Sequence, residues 1–156
     1  MRRTDREVTD RKWQEQVLQD APMLELGMID TEGNPYVVPL SFGYADGTIY
    51  LHGALEGKKN DSLATNPRVC FQVCIPGDAT AKPGGKSFTM AYRSVTGFGK
   101  VTTLTDLGEK NAALEVLLRH YDFPPTPVDE SRKIWVARLD IESMTGKTNP
   151  APDSAS

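Results

Sequence analysis

The sequence of 156 residues lacks the features that would assign it at once to a membrane or to nucleic acid. No apolar run approaches the length of a membrane span, and the charged N-terminus has no apolar signal-peptide region. The formal net charge is -3, so there is no excess of basic side chains to attract a nucleic acid. We therefore expect a cytoplasmic protein that binds neither membranes nor nucleic acids.

Cysteine and histidine are scarce, with two residues of each type. Cys70 and Cys74 lie on one predicted strand with their side chains pointing the same way, so a disulfide between them is not expected. No CxxC motif and no Cys/His spacing typical of a zinc site is present, and no metal site is predicted. The length is typical of one domain with its own core, which we place at residues 1–147. The Pro-, Ser- and Ala-rich segment 148–156 is predicted to be a disordered tail.

Alternating hydrophobicity predicts a mainly β protein with a few helices. Helices are expected after Thr9 as N-cap, over residues 57–66, and after Asp106, where Glu109 completes a capping box. The Pro- and Gly-rich residues 76–87 are predicted to form a long loop, and Gly97 and Gly99 indicate a bulge or a close approach of the backbone. The six predicted strands are 23–31, 36–44, 48–53, 68–75, 88–105 and 133–144. Their order and short connections predict a six-stranded antiparallel barrel.

The second predicted strand has large side chains on one face and mostly small ones on the other. A small face can accept a flat ligand, although packing beneath another element explains the same alternation. Pro39 cannot donate a ladder hydrogen bond, which favours an edge strand or an irregularity there. The large residues are Tyr36, Val38, Leu40, Phe42 and Tyr44, and the opposite face carries Val37, Pro39, Ser41 and Gly43.

Lys58 and Lys59 occupy the first turn of the second predicted helix. Cations there oppose the helix dipole, whereas the free backbone N–H groups of a helix start attract anions. The pair therefore indicates a phosphate site, with a solvated charge pair as the alternative. His52 ends the strand that precedes this helix, and it is interpreted either as a functional residue or as a surface histidine.

Four blocks of the chain, in order, resemble the pyridoxamine 5'-phosphate oxidase-like FMN-binding split barrels. The blocks are YVVPLSFGYADGTIYLHGALEGKKND, NPRVCFQV, YRSVTGFGKV and a final strand that ends in TGK. Within these proteins the sequence is most similar to the nitroimidazole-resistance branch. The resemblance covers roughly residues 9–147.

The resemblance implies a split β-barrel of the FMN-binding type and a homodimer with FMN at the subunit interface. Lys58 and Lys59 correspond to the basic pair on the FMN phosphate, and His52 is the candidate catalytic residue near the flavin. The other cofactor-binding positions implied by the resemblance are Val38, Pro39, Leu40, Ser41, Gly53, Ala54, Tyr92, Arg93 and Ser94.

Two departures from the family pattern bear on activity. Tyr36 and Ser41 stand where the oxidase has basic residues, and its C-terminal substrate-binding block is absent, so oxidation of pyridoxine phosphate is not expected. The resemblance implies instead a reductase that passes electrons from reduced nicotinamide, NADH or NADPH, to a small aromatic or nitro-type acceptor. Two alternatives stay open: a non-catalytic flavin- or haem-binding carrier or sensor, and a barrel that binds a deazaflavin.

Overall fold

The computed structural model of the chain describes residues 4–82, 84 and 87–150. Across these residues the chain forms three α-helices and eight strands, after a short 3-10 turn at Thr4–Arg6. The helices are α1 (Arg11–Asp20), α2 (Lys58–Thr65) and α3 (Leu107–His120). The strands are β1 (Glu7–Val8), β2 (Leu24–Ile29), β3 (Pro35–Leu40), β4 (Phe42–Ala45), β5 (Thr48–Gly53), β6 (Arg68–Ala81), β7 (Phe88–Thr103) and β8 (Trp135–Asn149).

All eight strands of the described chain belong to one antiparallel sheet. Its order is β3-β2-β6-β7-β8-β5-β4, and β1 adds to β8. The two end strands, β3 and β4, follow each other in the chain but share no ladder of hydrogen bonds. The chain therefore connects the two ends of the sheet, but no hydrogen bonds of a ladder close the gap between them, so the barrel is split at this edge. This confirms the predicted mainly β, antiparallel split barrel.

The strand count is eight where the sequence predicts six. The predicted strand 36–44 is divided at Ser41, so that β3 pairs with β2 while β4 pairs with β5. The additional strand β1 has only two residues, which is too short to produce a recognisable alternation. Pro39 lies on β3 at the end of the sheet, in agreement with the edge position that a missing N–H requires.

The predicted loop at 76–87 is wrong over its first half, residues 76–81. Strand β6 continues to Ala81, which pairs with Phe88, and a register shift lies between Pro76 and Ala79. This bulge accommodates the proline and glycine that indicated a loop. A second register shift lies opposite Phe98 and Gly99, but its extra residue, Glu142, is on β8 and not on β7. At Gly97 and Gly99 the structure shows the close backbone approach, since a Cβ on either would clash with a carbonyl oxygen of β8.

The ends of two other predicted segments differ from the structure. Helix α1 is capped by Asp10 rather than Thr9, because the Asp10 side chain accepts a hydrogen bond of 2.9 Å from the Lys12 backbone N–H. Strand β8 runs to Asn149 and so includes the first two residues of the segment predicted as a tail. Residues 151–156 of that segment lie outside the described residues.

The core fills the inside of the barrel and the seams beneath α1 and α3. Helix α3 approaches β4 so closely at Gly43 that a Cβ there would lie 2.7 Å from the Cα of Leu117. At Gly43 the small face of the predicted strand is therefore filled by a helix. Cys70 and Cys74 are exposed free thiols on β6, as expected. Within the described ranges, no helix combines the length and the apolar character needed to cross a membrane.

Candidate functional site

Ser41 and His52 form a hydrogen-bonded pair at the split edge of the barrel. Ser41 occupies the break between β3 and β4, and the β4–β5 hairpin returns His52 beside it, with 2.9 Å between Ser41 Oγ and His52 Nε2. Burial lowers the pKa of His52 below its usual value of 6.5, and the positive charges of Arg132 and Lys59 lower it further. The imidazole is therefore neutral at pH 7 and able to hold or pass a proton.

Lys59 lies above the paired ends of β5 and β8. Its Nζ is 3.3 Å from the centroid of the Trp135 ring and donates to Asn60 Oδ1 at 2.6 Å. Gly53 is the register partner of Trp135, and a Cβ on Gly53 would lie 3.5 Å from this Nζ. Burial lowers the pKa of Lys59 to about 8, so the ammonium group is still mostly charged at pH 7. Within the described chain it has no carboxylate partner, and it is available to an anion.

Lys58, the neighbouring lysine, points to a different partner. Its Nζ forms an ion pair of 2.7 Å with Oδ2 of Asp30, whose side chain is only 1% exposed. Asp30 also accepts backbone hydrogen bonds from Glu32 and Asn34, in the turn between β2 and β3. The hydrogen bond from Lys58 and those from Asn34 and Glu32 lower the pKa of Asp30 to about 2. The charge of Lys58 thus neutralises Asp30, and the two lysines do not converge on one point.

The outer side of β3 is the open part of the predicted ring-binding face. Val38 and Leu40 pack against the core, whereas Pro39 is exposed and Val37 is 61% exposed. Ala54 follows β5 in an exposed loop, and its carbonyl accepts a hydrogen bond of 2.9 Å from Asn60 Nδ2. These residues lie near the split edge of the barrel together with what we call the His52 group, which comprises Ser41, His52, Gly53 and Lys59.

The remaining predicted positions lie elsewhere on the barrel. We call them the Tyr92 group, which comprises Tyr92, Arg93 and Ser94. Ser94 is buried and its Oγ donates to the carbonyl of Lys147 at 3.3 Å, while Lys147 Nζ is 6.0 Å from the Tyr92 ring. Arg93 forms an ion pair of 3.1 Å with Asp20 of α1. A cavity of about 360 Å³ borders this group and is lined by Gln72, Cys74, Tyr92, Ser94, Thr96, Thr145 and Lys147.

One chain does not bring the two groups together. His52 pairs with Val136 near the start of β8, whereas Ser94 pairs with Lys147 near its end. The eleven residue steps from Val136 to Lys147 correspond to roughly 35 Å of strand. In the described part of the chain, the hydrogen bonds and ion pairs of the Tyr92 group lead to α1 and the end of β8, not to the His52 group.

Sequence reasoning missed three residues that shape the site. Asp30 and Trp135 lie inside the predicted strands 23–31 and 133–144, and Arg132 lies in a connector without periodicity. The Ser41–His52 pair was also missed, because eleven residues and a strand break separate its members. Only for Asp30 was there a local signal: Asp ahead of a Gly-containing turn commonly accepts backbone hydrogen bonds two residues on.

The topology and the exposed edge strand place the protein in the class of split β-barrels. A family model described as pyridoxamine 5'-phosphate oxidase matches residues 10–148. The chain therefore belongs to the pyridoxamine 5'-phosphate oxidase-like family, as its sequence blocks indicate.

Several solved structures share this fold. A candidate 5-nitroimidazole antibiotic resistance protein from Bacteroides thetaiotaomicron is 33% identical, with a TM-score of 0.83 over 91% of this chain and 86% of that one. An FAD-binding protein from Mesorhizobium loti is 28% identical, with a TM-score of 0.66 over 92% and 96%. The flavocytochrome Anf3 from Azotobacter vinelandii is 21% identical, with a TM-score of 0.77 over 94% and 70%. A search of curated proteins gave no match.

The ion pair of Lys58 and Asp30 predicts a specific response to acid. Because the pKa of Asp30 is about 2 in the folded chain against an ordinary value of 3.8, its ionised form stabilises the fold above about pH 4. That contribution is lost as the pH falls toward 2. We expect Asp30→Asn to lose less stability than the wild type between about pH 5 and about pH 2, measured by chemical denaturation.

Asp78→Asn, which changes an exposed carboxyl on β6, is the control and should retain the wild-type pH profile. An Asp30→Asn profile as steep as that of the wild type would show that the buried carboxylate contributes nothing to acid sensitivity.

Proposed function

We propose that this protein is an FMN-binding oxidoreductase, a reductase that passes electrons from NADH or NADPH to a small aromatic or nitro-type acceptor. The observation that carries the proposal is the combination at the split edge of a charged Lys59 with no carboxylate partner in the described chain, a glycine and a neutral Ser41–His52 pair. The likeness to a candidate nitroimidazole resistance protein and to an FAD-binding protein supports a flavin as the ligand.

The residues of the His52 group fit the chemistry of FMN. A phosphate monoester carries a charge near -2 at pH 7 and suits the ammonium group of Lys59 and the N–H groups at the start of α2. The exposed outer side of β3 offers backbone atoms and the small residues Pro39 and Ser41 to a flat ring. When bound, the flavin would supply hydride and electron transfer, while the protein holds and orients it.

The separation of the two predicted groups supports a homodimer. Tyr92, Arg93 and Ser94 of one chain can complete a site with His52 and Lys59 only if a second copy contributes one of the groups. An exposed apolar groove of about 390 Å³ offers a surface for such contact. Its side chains include Ile29, Val37 and Phe98, which are 42%, 61% and 56% exposed. Side chains of this size and exposure are typical of an interface between subunits.

His52 is assigned the role of proton donor to the reduced acceptor. Its imidazole is neutral at pH 7, so in each cycle it takes up a proton from solvent and then donates one, and its hydrogen bond with Ser41 Oγ orients the ring and offers a hydroxyl through which the proton can pass. Reduction of a nitro group consumes protons as well as electrons, so a side chain that relays protons from solvent to the acceptor raises the rate. Ser41 is the residue that positions the imidazole.

The cofactor and the electron donor are tested on the purified protein. We expect its absorption spectrum and mass to identify FMN, NADH or NADPH to bleach the flavin anaerobically, and a nitroaromatic acceptor to restore its colour. A haem spectrum or a deazaflavin mass would overturn the assignment of FMN. A bound flavin that neither nicotinamide reduces would favour the non-catalytic carrier.

The dimer is tested at Phe98, in the exposed groove. We expect Phe98→Arg to shift the protein toward a monomer in light scattering, because the interface would have to bury an unpaired cation. Flavin occupancy should fall with it, because a lone chain retains only half of the site. Phe123→Arg is the matched control, since Phe123 is 62% exposed on the connector after α3 and lies outside the groove. A monomeric Phe98→Arg protein with full flavin occupancy would contradict the shared site.

The role of His52 is tested by His52→Gln. We expect full flavin occupancy and unchanged bleaching by nicotinamide, but transfer to a nitroaromatic about 100-fold slower, as for loss of a general acid. His120→Gln is the control, because the ring of His120 contacts the carbonyl of Ala21, on the connection from α1 to β2. Equal transfer rates in His52→Gln and wild type would exclude His52 as the proton donor.

A further inference from the structure

The His52 group supplies one positive charge fewer than a bound phosphate monoester needs for neutralisation. A phosphate monoester carries a charge near -2, and Lys58 is held by Asp30 at 2.7 Å. Lys59 supplies a single positive charge. A second cation would complete the neutralisation, and it has to come from an element that reaches the paired ends of β5 and β8.

Arg132 lies on such an element, the connector from α3 into β8. Its backbone N–H donates to the Asp129 carbonyl at 3.2 Å, and the Asp129 carboxylate accepts from the backbone N–H of Ser131 at 2.9 Å. This turn holds Arg132 three residues before Trp135, which limits their Cα separation to about 11 Å. The Nζ of Lys59 lies over the ring of Trp135, and the backbone of Trp135 pairs with Gly53.

The positive charges of Arg132 and Lys59 both act on His52. Both cations lower the pKa of that imidazole, in addition to the larger effect of burial. Two positive charges from different elements therefore act on the same point of the split edge. Guanidinium presents a planar fork of N–H donors that matches two oxygens of a phosphate.

The guanidinium of Arg132 is exposed, and within the described part of the chain it forms no ion pair or hydrogen bond. Three carboxylates, Asp106, Asp129 and Glu130, line the same cavity of about 430 Å³. Asp106 is engaged as the N-cap of α3 with the Glu109 N–H at 2.9 Å, and Asp129 is engaged in the turn. Arg132 can therefore turn toward an anion without breaking a contact.

We propose that Arg132 and Lys59 are the cation pair of this site, and that they bind the phosphate of the flavin while Lys58 serves only to neutralise Asp30. This inference rests on the proposed function, and it changes which residues select a phosphorylated flavin over riboflavin. The shared chemistry is a flavin phosphate, either the monoester of FMN or the diphosphate of FAD.

The test compares FMN, FAD and riboflavin in fluorescence titrations of the cofactor-free dimer. We expect Arg132→Gln to weaken the affinity for FMN by at least about tenfold, the effect of losing one charge-assisted contact, and to leave the affinity for riboflavin unchanged. Lys59→Gln should have a similar effect. Lys58→Gln should retain the ratio of FMN to riboflavin affinity while lowering the melting temperature. An effect of Arg132→Gln on FAD alone would identify the diphosphate as the anion.

Lys133→Gln is the matched control, because it removes the next positive charge along the connector and should leave all three affinities unchanged. A loss of FMN selectivity in Lys58→Gln but not in Arg132→Gln would overturn the inference and leave the proposed flavin site standing. A wild-type protein that binds none of the three flavins would overturn the proposed function and this inference with it. Circular dichroism of each variant separates loss of binding from loss of fold.

Discussion

The long ladder between β7 and β8 is the constraint on which the rest of the molecule depends. Strand β8 pairs with β7 over most of its length, with β5 near its start and with β1 near its end. Because a strand is stiff and nearly straight over several residues, positions at its two ends cannot meet within one sheet. The ladder thus separates the His52 group from the Tyr92 group, and it is the physical reason for proposing a second subunit in the site.

Near the other side of the site, the buried carboxylate of Asp30 determines which of two adjacent lysines is available to a ligand. Lys58 and Lys59 are consecutive residues in the first turn of a helix, so their side chains leave the helix about 100° apart. Asp30 lies on one of these directions and Trp135 on the other. An isolated buried carboxylate is costly to ionise, and the nearest cation is therefore committed to it. The second lysine, Lys59, remains available to a ligand, and burial lowers the pKa of its ammonium group.

Much of the barrel could be predicted because the signals were local. Alternation located the major strands, Asp106 and Glu109 marked the start of α3, and Pro39 indicated an edge. The errors also have local causes. Proline and glycine at Pro76 and Gly77 indicated a loop where a bulge keeps them inside a long hairpin, and the alternation ran through Ser41 without marking the break. A bulge and a loop use the same residue types, and only the pairing partner distinguishes them.

The sequence by itself determined the class of the fold, the succession of the major strands along the chain and the family, because each depends on residue type and spacing along the chain. It also placed His52 and the lysine pair near one another, since a single hairpin and a helix start connect them. Only the tertiary structure decided which lysine is available, that Ser41 holds His52, and that the charge of Arg132 acts on His52. Those facts depend on partners 11 to 80 residues away, whose distance and burial no local pattern encodes.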